Sequence, residues 1–294
     1  MILVVGATGH LGGEICRRLA AQGKSVGAMV RSTSDPTKLD ALKALGVTLI
    51  QGDLTDRGSL DAACQGIATV ISTASTSYSV KPDVLGVDHA GQLSLVDAAK
   101  AAGVSHFVYV SFSGSFTTDS PLINAKRAVE QRLKQSGMPY TIVRSSFFME
   151  AMFSPTAGFD YPNAKVMIYG AGVNKISWIS IPDVAQFVVE SVDNLAARNA
   201  TLEIGGPEAL SPLEVVKIFE ATVGRTFEVQ HLPEEVIQMQ KKQATDPLQQ
   251  GFAGMMLEYA KGSVVDMKET LQAFPVKLTS VKDYARRTVN ASVQ

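Results

Sequence analysis

The chain has 294 residues, 46% of them hydrophobic and 19% charged, with a formal net charge of −1. That length and composition support a globular protein with a substantial core. The near-neutral balance and the absence of a dense Lys/Arg run argue against nucleic acid or an anionic membrane as the main partner. Cys16 and Cys64 fall in predicted helices and make neither a disulfide framework nor a zinc spacing, and no metal site is expected. With the first strand predicted at residue 2 and no long apolar run, the expectation is a cytoplasmic protein without a signal peptide or membrane span.

Residues 2–5 form a short apolar run that reads as a buried parallel strand. Gly6, Gly9 and Gly12 follow at intervals of three, and Leu11, Ile15 and Leu19 then recur at four-residue spacing, the stripe of a helix packed on a sheet. Glycines on a strand-to-helix turn permit a tight bend and close approach of a ligand. The first amides of the helix are unpaired at the positive end of its dipole, which makes an anion site suited to a pyrophosphate. The turn residues Thr8, His10 and Leu11 join the three glycines as candidate dinucleotide ligands.

A second strand is predicted over 25–30, ending at Arg31, then a helix over 38–45 and a third strand over 47–50 leading to Asp53 and Leu54. A helix over 59–65 precedes the fourth strand, 68–72, which opens into Thr73, Ala74, Ser75 and, further along, Tyr78. The spacing then predicts a helix over 88–102, a strand over 106–111, a helix from Ser120-Pro121 to Gly137 and a strand over 140–143. Such alternation means a parallel sheet with helices on both faces, and every loop of interest follows a strand, at the edge where ligands bind.

Residues 145–180 carry aromatics, glycine and proline without sustained periodicity. A helix is predicted from Pro182-Asp183 to about 195, a strand over 201–204, a helix from Ser211-Pro212 with a capping box at Glu214, mostly helix over 234–260 with a break at Asp246-Pro247, and a last helix over 279–288. The expected organisation is a dinucleotide-binding domain over 1–150, with 181–204 returning to it, and a substrate-covering region over 151–294, packed as one body.

Sites for NAD usually end the second strand with an acid that bonds the ribose hydroxyls. Here Arg31 stands there, followed by Ser32, Thr33 and Ser34. A guanidinium binds a 2′-phosphate through two parallel hydrogen bonds, so NADP(H) is the expected cofactor. Asp53 is either an acceptor for the adenine amino group or a turn aspartate.

Gly-Ala-Thr-Gly-His-Leu-Gly at 6–12, Val30-Arg31, Gly-Asp-Leu at 52–54, Phe-Val-Tyr-Val-Ser at 107–111, Ser-Gly-Met-Pro-Tyr-Thr-Ile-Val-Arg at 136–144, Phe148-Met149-Glu150 and Ile181-Pro182-Asp183-Val184-Ala185 together resemble the NmrA-like group of atypical short-chain dehydrogenases/reductases. The resemblance implies a Rossmann-type doubly wound parallel sheet with a smaller, mixed C-terminal substrate-covering part. The group includes isoflavone-type and benzylic-ether reductases, quinone and dye reductases, and members that bind NADP(H) without evident catalysis.

Ordinary members of the larger superfamily carry Tyr-x-x-x-Lys on the helix after the fifth strand. Lys126 fits the lysine slot, but Leu122 stands where the tyrosine belongs, so the usual carbonyl-reduction acid is missing. In the ether-reductase branch a lone lysine at this place serves as acid or base. Three readings of Lys126 stay open: a cofactor contact, a proton donor desolvated toward neutrality, or an exposed helix lysine. Ser111 corresponds to a substrate-polarising serine or is a strand-end serine bonding local backbone, with Ser113 beside it. Tyr78 supplies a phenol near the ring or belongs to a lid. Phe147 matches an aromatic pressed on nicotinamide, although Ser145-Ser146 replaces the expected Pro-Gly. Phe112, Phe116, Phe148, Met149, Met152 and Phe153 line an apolar pocket or are core. Trp178 and the helix-start residue Asp183 read as structural.

The resemblance therefore implies an NADPH-dependent reductase acting on a small aromatic or conjugated molecule such as a quinone, enone or imine. The alternatives are an NADP(H)-sensing regulator working through a protein partner and, behind it, an epimerase or isomerase.

Overall fold

The run Ile2–Val5 (β1) is buried along its whole length, as a central parallel strand requires. After it come α1 (His10–Ala21), β2 (Val26–Val30), α2 (Pro36–Ala44), β3 (Thr48–Gln51), α3 (Arg57–Ala63) and β4 (Thr69–Ser72). A π-helical turn, Val84–Gly91, leads into α4 (Gln92–Ala101), followed by β5 (His106–Phe112), α5 (Pro121–Ser136) and β6 (Tyr140–Ser145). The remainder holds α6 (Met149–Met152), β7 (Phe159–Asp160), β8 (Lys165–Tyr169), α7 (Ile181–Asp193), β9 (Ala200–Ile204), α8 (Pro212–Val223), β10 (Glu228–Leu232), α9 (Glu234–Gln243), α10 (Pro247–Lys261), α11 (Lys268–Ala273) and α12 (Val281–Ala291). This computed structural model describes residues 1–76 and 83–291.

The chain divides into two units: Met1–Ser111, Pro121–Arg144 and Val184–Leu202 in the first, Phe112–Ser120, Ser145–Asp183 and Glu203–Gln294 in the second. A seven-stranded sheet in the order β3-β2-β1-β4-β5-β6-β9 is the frame of the first. β1 pairs in parallel with β2 on one side and β4 on the other, so Val5 lies opposite both Met29 and Ser72. The order of connection reverses between β1 and β4, and right-handed crossovers leave a crevice outside the carboxyl ends of those strands. Leu3, Leu60, Leu95, Phe107 and Leu133 share one apolar cluster, each fully buried. Burial of each stabilises the unit by about 1.5–3 kcal/mol.

The second unit has its own three-stranded sheet, β10-β8-β7, in which β8 pairs in parallel with β10 and antiparallel with β7. Its core is aromatic: the Phe153 ring lies 5.0 Å from Trp178, 5.5 Å from Phe159 and 5.6 Å from Phe219, centroid to centroid. Buried Glu258 accepts the N–H groups of Thr117 (3.1 Å) and Thr118 (2.5 Å), and Glu203 accepts that of Gly114 (3.0 Å), so the 112–120 segment is tied down by two carboxylates.

Several elements depart from the sequence expectation. The helix expected from residue 88 begins at Val84 as a π-helical turn, with Asp83 accepting the Gly86 N–H at 2.7 Å. At its far end a Cβ on Gly91 would lie 2.7 Å from the Leu54 carbonyl oxygen, so glycine lets the turn press against the loop after β3. Residues 145–180, expected to be irregular, contain α6, β7 and β8. Two-residue β7 and the largely exposed strand β10 are too short and too mixed to print a period of two on the sequence.

Candidate functional site

Gly6 ends β1 with φ +87°, in the left-handed region that glycine takes without strain. A Cβ there would meet the Ala74 nitrogen at 2.8 Å and the Thr73 hydroxyl at 2.9 Å; the loops after β1 and β4 therefore touch. On Gly12 a Cβ would fall 2.2 Å from the Gly6 carbonyl oxygen, so the first turn of α1 rests directly on the glycine turn. Gly9 is the N-cap of α1 and brings no side chain to the first amides; no acid occupies the first turn. Gly9 and His10 are exposed, Thr8 is half-buried and Leu11 is buried beneath them. The result is a helix N-terminus without a side-chain cap, a cradle that any Cβ would fill, with no acid in the first turn of α1. A pyrophosphate fits that cradle.

Around it, Arg31 is exposed at the end of β2, and its own N–H is held by Ser34 Oγ at 3.0 Å. Asp53 Oδ1 accepts both the N–H (2.9 Å) and the hydroxyl (2.7 Å) of Thr55; those bonds, with the Arg31 charge behind them, hold its carboxyl below the usual carboxylate range. The carboxylate is thus employed in its own turn. Leu54 is buried. Thr73 donates its N–H to Val5 O at 2.9 Å, and Ala74 O accepts from Gln92 at 3.1 Å, which pins the loop after β4; Ser75 follows at its surface. Tyr78 lies outside the described residues.

Lys126 projects from α5 into the interior, 4% exposed, so the exposed-lysine reading does not hold. Its Nζ donates to Val110 O at 3.1 Å and lies 4.9 Å from the centroid of the Tyr109 ring. Burial lowers its proton affinity, while the charges of Asp88 and Glu130 raise it again. Ser111 is buried, and its hydroxyl donates to Glu130 Oε1 at 2.6 Å. Glu130 also receives Arg127 (2.7 Å) and Arg144 (2.5 Å). Burial pushes Glu130 up, but the bonds from Arg144 and Ser111 and the two guanidinium charges outweigh it and keep the acid ionised.

Phe147 falls in the second unit, where its ring packs 4.8 Å from Phe116 and 6.1 Å from both Trp178 and Tyr259. Met149, Met152 and Phe153 are core residues of that unit, and Met152 and Phe153 also edge a small cavity together with Phe159, Tyr169, Trp178 and Tyr259. Trp178 Nε1 donates to Leu210 O at 2.8 Å, and Asp183 accepts the Thr279 N–H at 2.7 Å; both serve the fold of the unit. Among the described residues no cluster of His, Cys, Asp and Glu is arranged to hold a metal, and no helix is long and apolar enough to cross a membrane.

Sequence reading passed over Asp88, which is 1% exposed. Its signal was present: Val84, Asp88, Gly91 and Leu95 share the buried stripe of one helical stretch, and an acid in such a stripe is a buried charge.

The family model described as NmrA-like matches residues 1–285. The chain is 32% identical to the isoflavone reductase homolog IRL of Zea mays, across 97% of both sequences, and 34% identical to an NAD(P)H azoreductase of Xenophilus azovorans, across 76% of this chain and 74% of that one. In fold it matches the NADPH-dependent quinone oxidoreductase QOR2 of Escherichia coli, solved in complex with NADPH, with a TM-score of 0.79 over 98% of this chain and 100% of the other at 24% identity. The family model spans nearly the whole chain, and the chain belongs to the NmrA-like family.

Proposed function

We propose that the chain is an NADPH-dependent reductase that delivers a hydride to a small aromatic or conjugated acceptor such as a quinone, enone or imine. The observation that carries this reading is the side-chain-free seat at the start of α1, with Arg31 at the next strand end. The amides of the first α1 turn bind the pyrophosphate, Arg31 with its neighbouring hydroxyls binds the 2′-phosphate, and Thr73, Ala74 and Ser75 line the approach. The dihydronicotinamide, when bound, supplies the hydride. Lys126 bonds the ribose hydroxyls and holds a proton at Nζ for the reduced product. Ser111 donates its hydroxyl hydrogen bond to Glu130, so it orders the strand end instead of acting as an acid. Quinone-like acceptors need little help from a protein acid, which suits Leu122 in the tyrosine position. The names of the relatives, an isoflavone reductase homolog, an azoreductase and a quinone oxidoreductase, support an acceptor of this class.

Calorimetry with NADPH and NADH tests the cofactor. Wild type should prefer NADPH, and Arg31→Asp should weaken NADPH by about 10- to 100-fold through the lost charge-assisted bonds while sparing NADH. An unchanged preference would remove Arg31 from the site. Oxidation of NADPH followed against menadione, an enone panel and an azo dye tests the reaction. Tight NADPH binding with no turnover of any acceptor overturns the reductase and leaves the sensor.

A further inference from the structure

Lys126 carries its ammonium into a place from which water is excluded. A charge there loses several kcal/mol of solvation unless an opposite charge compensates it. Val110 O and the Tyr109 ring face the ammonium, but neither bears a full negative charge. Two carboxylates act on it, Glu130 from its own helix and Asp88 from the π-helical turn against which α5 packs. Glu130 is already matched by Arg127 and Arg144 and by the Ser111 hydroxyl.

Among the described residues no cation is hydrogen-bonded to Asp88. Its Oδ2 takes the Thr76 N–H at 3.0 Å and the Thr76 hydroxyl at 2.5 Å, while Oδ1, fully buried, has no hydrogen-bond partner among those residues. The phenol of Tyr109, the other buried group without a partner among the described residues, is neutral and feels the same Asp88 charge. A buried carboxylate with one oxygen unsatisfied is costly unless a nearby cation repays it. The helix carrying it is also π-wound over this stretch, a geometry that recurs at functional positions.

We infer that Asp88 is a positioning residue whose carboxylate is the counter-charge that keeps Lys126 an ammonium in its dry surroundings, acting on the reaction only through Lys126. The inference rests on the reading of Lys126 as the cofactor-binding, proton-holding lysine. A neutral amine at Nζ would have no proton to supply to the reduced product. Among the described residues, the charges acting on it are Asp88 on the π-helical turn and Glu130 on α5; Glu130 is itself paired with Arg127 on α5 and Arg144 on β6, and the Tyr109 ring on β5 lies beside the ammonium.

Protein labelled with [ε-13C]lysine allows the Nζ titration to be followed by NMR, with the Lys126 signal assigned by its loss in Lys126→Met. Asp88→Asn removes the charge and keeps an acceptor for Thr76. It should weaken proton affinity at Lys126 by about tenfold and leave the other lysines unmoved. A folded Asp88→Asn protein in which Lys126 titrates as in wild type overturns the inference, because a merely structural Asp88 lowers stability without touching that titration. If the amide is not tolerated, Asp88→Ser gives the same reading through its hydroxyl. Calorimetry separates the underlying assignment: NADPH affinity unchanged in Lys126→Met would overturn the cofactor role of Lys126 while the counter-charge measurement still stood.

Discussion

One methyl group separates Gly9 from Gly12 in consequence. On Gly12 it would collide with the Gly6 carbonyl at 2.2 Å, backbone against backbone, where nothing can yield; on Gly9 its nearest neighbour is the same oxygen at 3.3 Å, and the position is open to solvent. Gly12→Ala should therefore cost stability, about 1–3 kcal/mol as an overpacked contact, and lose NADPH binding with it. Gly9→Ala should keep its melting temperature yet weaken NADPH by about tenfold, since only the approach of the ligand is obstructed. Thermal melts paired with calorimetry distinguish the two, and a Gly9→Ala protein that binds NADPH like wild type would place the pyrophosphate elsewhere. Asp53 Oδ1 is occupied by the N–H and hydroxyl of Thr55, which fixes the turn after β3.

Among the elements, β5 carries a titrating group at its start. His106 is fully buried; Thr141 Oγ1 donates to Ala197 O at 2.6 Å, so the 2.8 Å contact with His106 Nε2 makes the ring the donor there, and Nδ1 accepts from the Arg198 guanidinium. That arrangement fixes a neutral imidazole. Burial, helped by the Arg198 charge, pushes its pKa down to about 4 from an ordinary 6.5. The unfolded chain then binds the extra proton first, so this contribution is complete above pH 6.5 and is lost as pH falls toward 4. Between pH 7 and pH 5 it should remove about 2 kcal/mol of stability, read as a drop in the urea midpoint, and His106→Gln should flatten that dependence. The first-unit elements were legible because strands such as β1 and β2 are apolar runs and the elements between them are closed by glycine or a capping residue. The π-helical turn was not, because its register depends on Gly91 meeting Leu54 from another loop, a contact without a local signature. Of the candidate site, the glycine turn was readable from spacing, and Lys126 was singled out only by the family resemblance. The burial of Lys126 and the opposition of Asp88 were not, because they depend on how α5 packs on the turn before α4.

At the scale of the whole molecule, a ligand that binds only the folded chain adds its binding energy to stability. NADPH at 100 times its dissociation constant should contribute about 2.7 kcal/mol. For a chain of this size that is a rise of about 4–5 °C in melting temperature. Differential scanning calorimetry with NADPH and NADH reads it. An equal rise with both, at equal concentration, would contradict selection of the 2′-phosphate by Arg31.

The assignment of residues to the two units has a further consequence. The polypeptide passes from one to the other after residues 111, 120, 144, 183 and 202. No single cut in the gene yields either unit whole: a fragment ended near residue 150 lacks α7 and the edge strand β9, and the rest of the chain begins without 112–120. Neither part can be grafted onto another scaffold as a contiguous cassette, and changes of acceptor are expected to arise by substitution in place instead of by swapping modules.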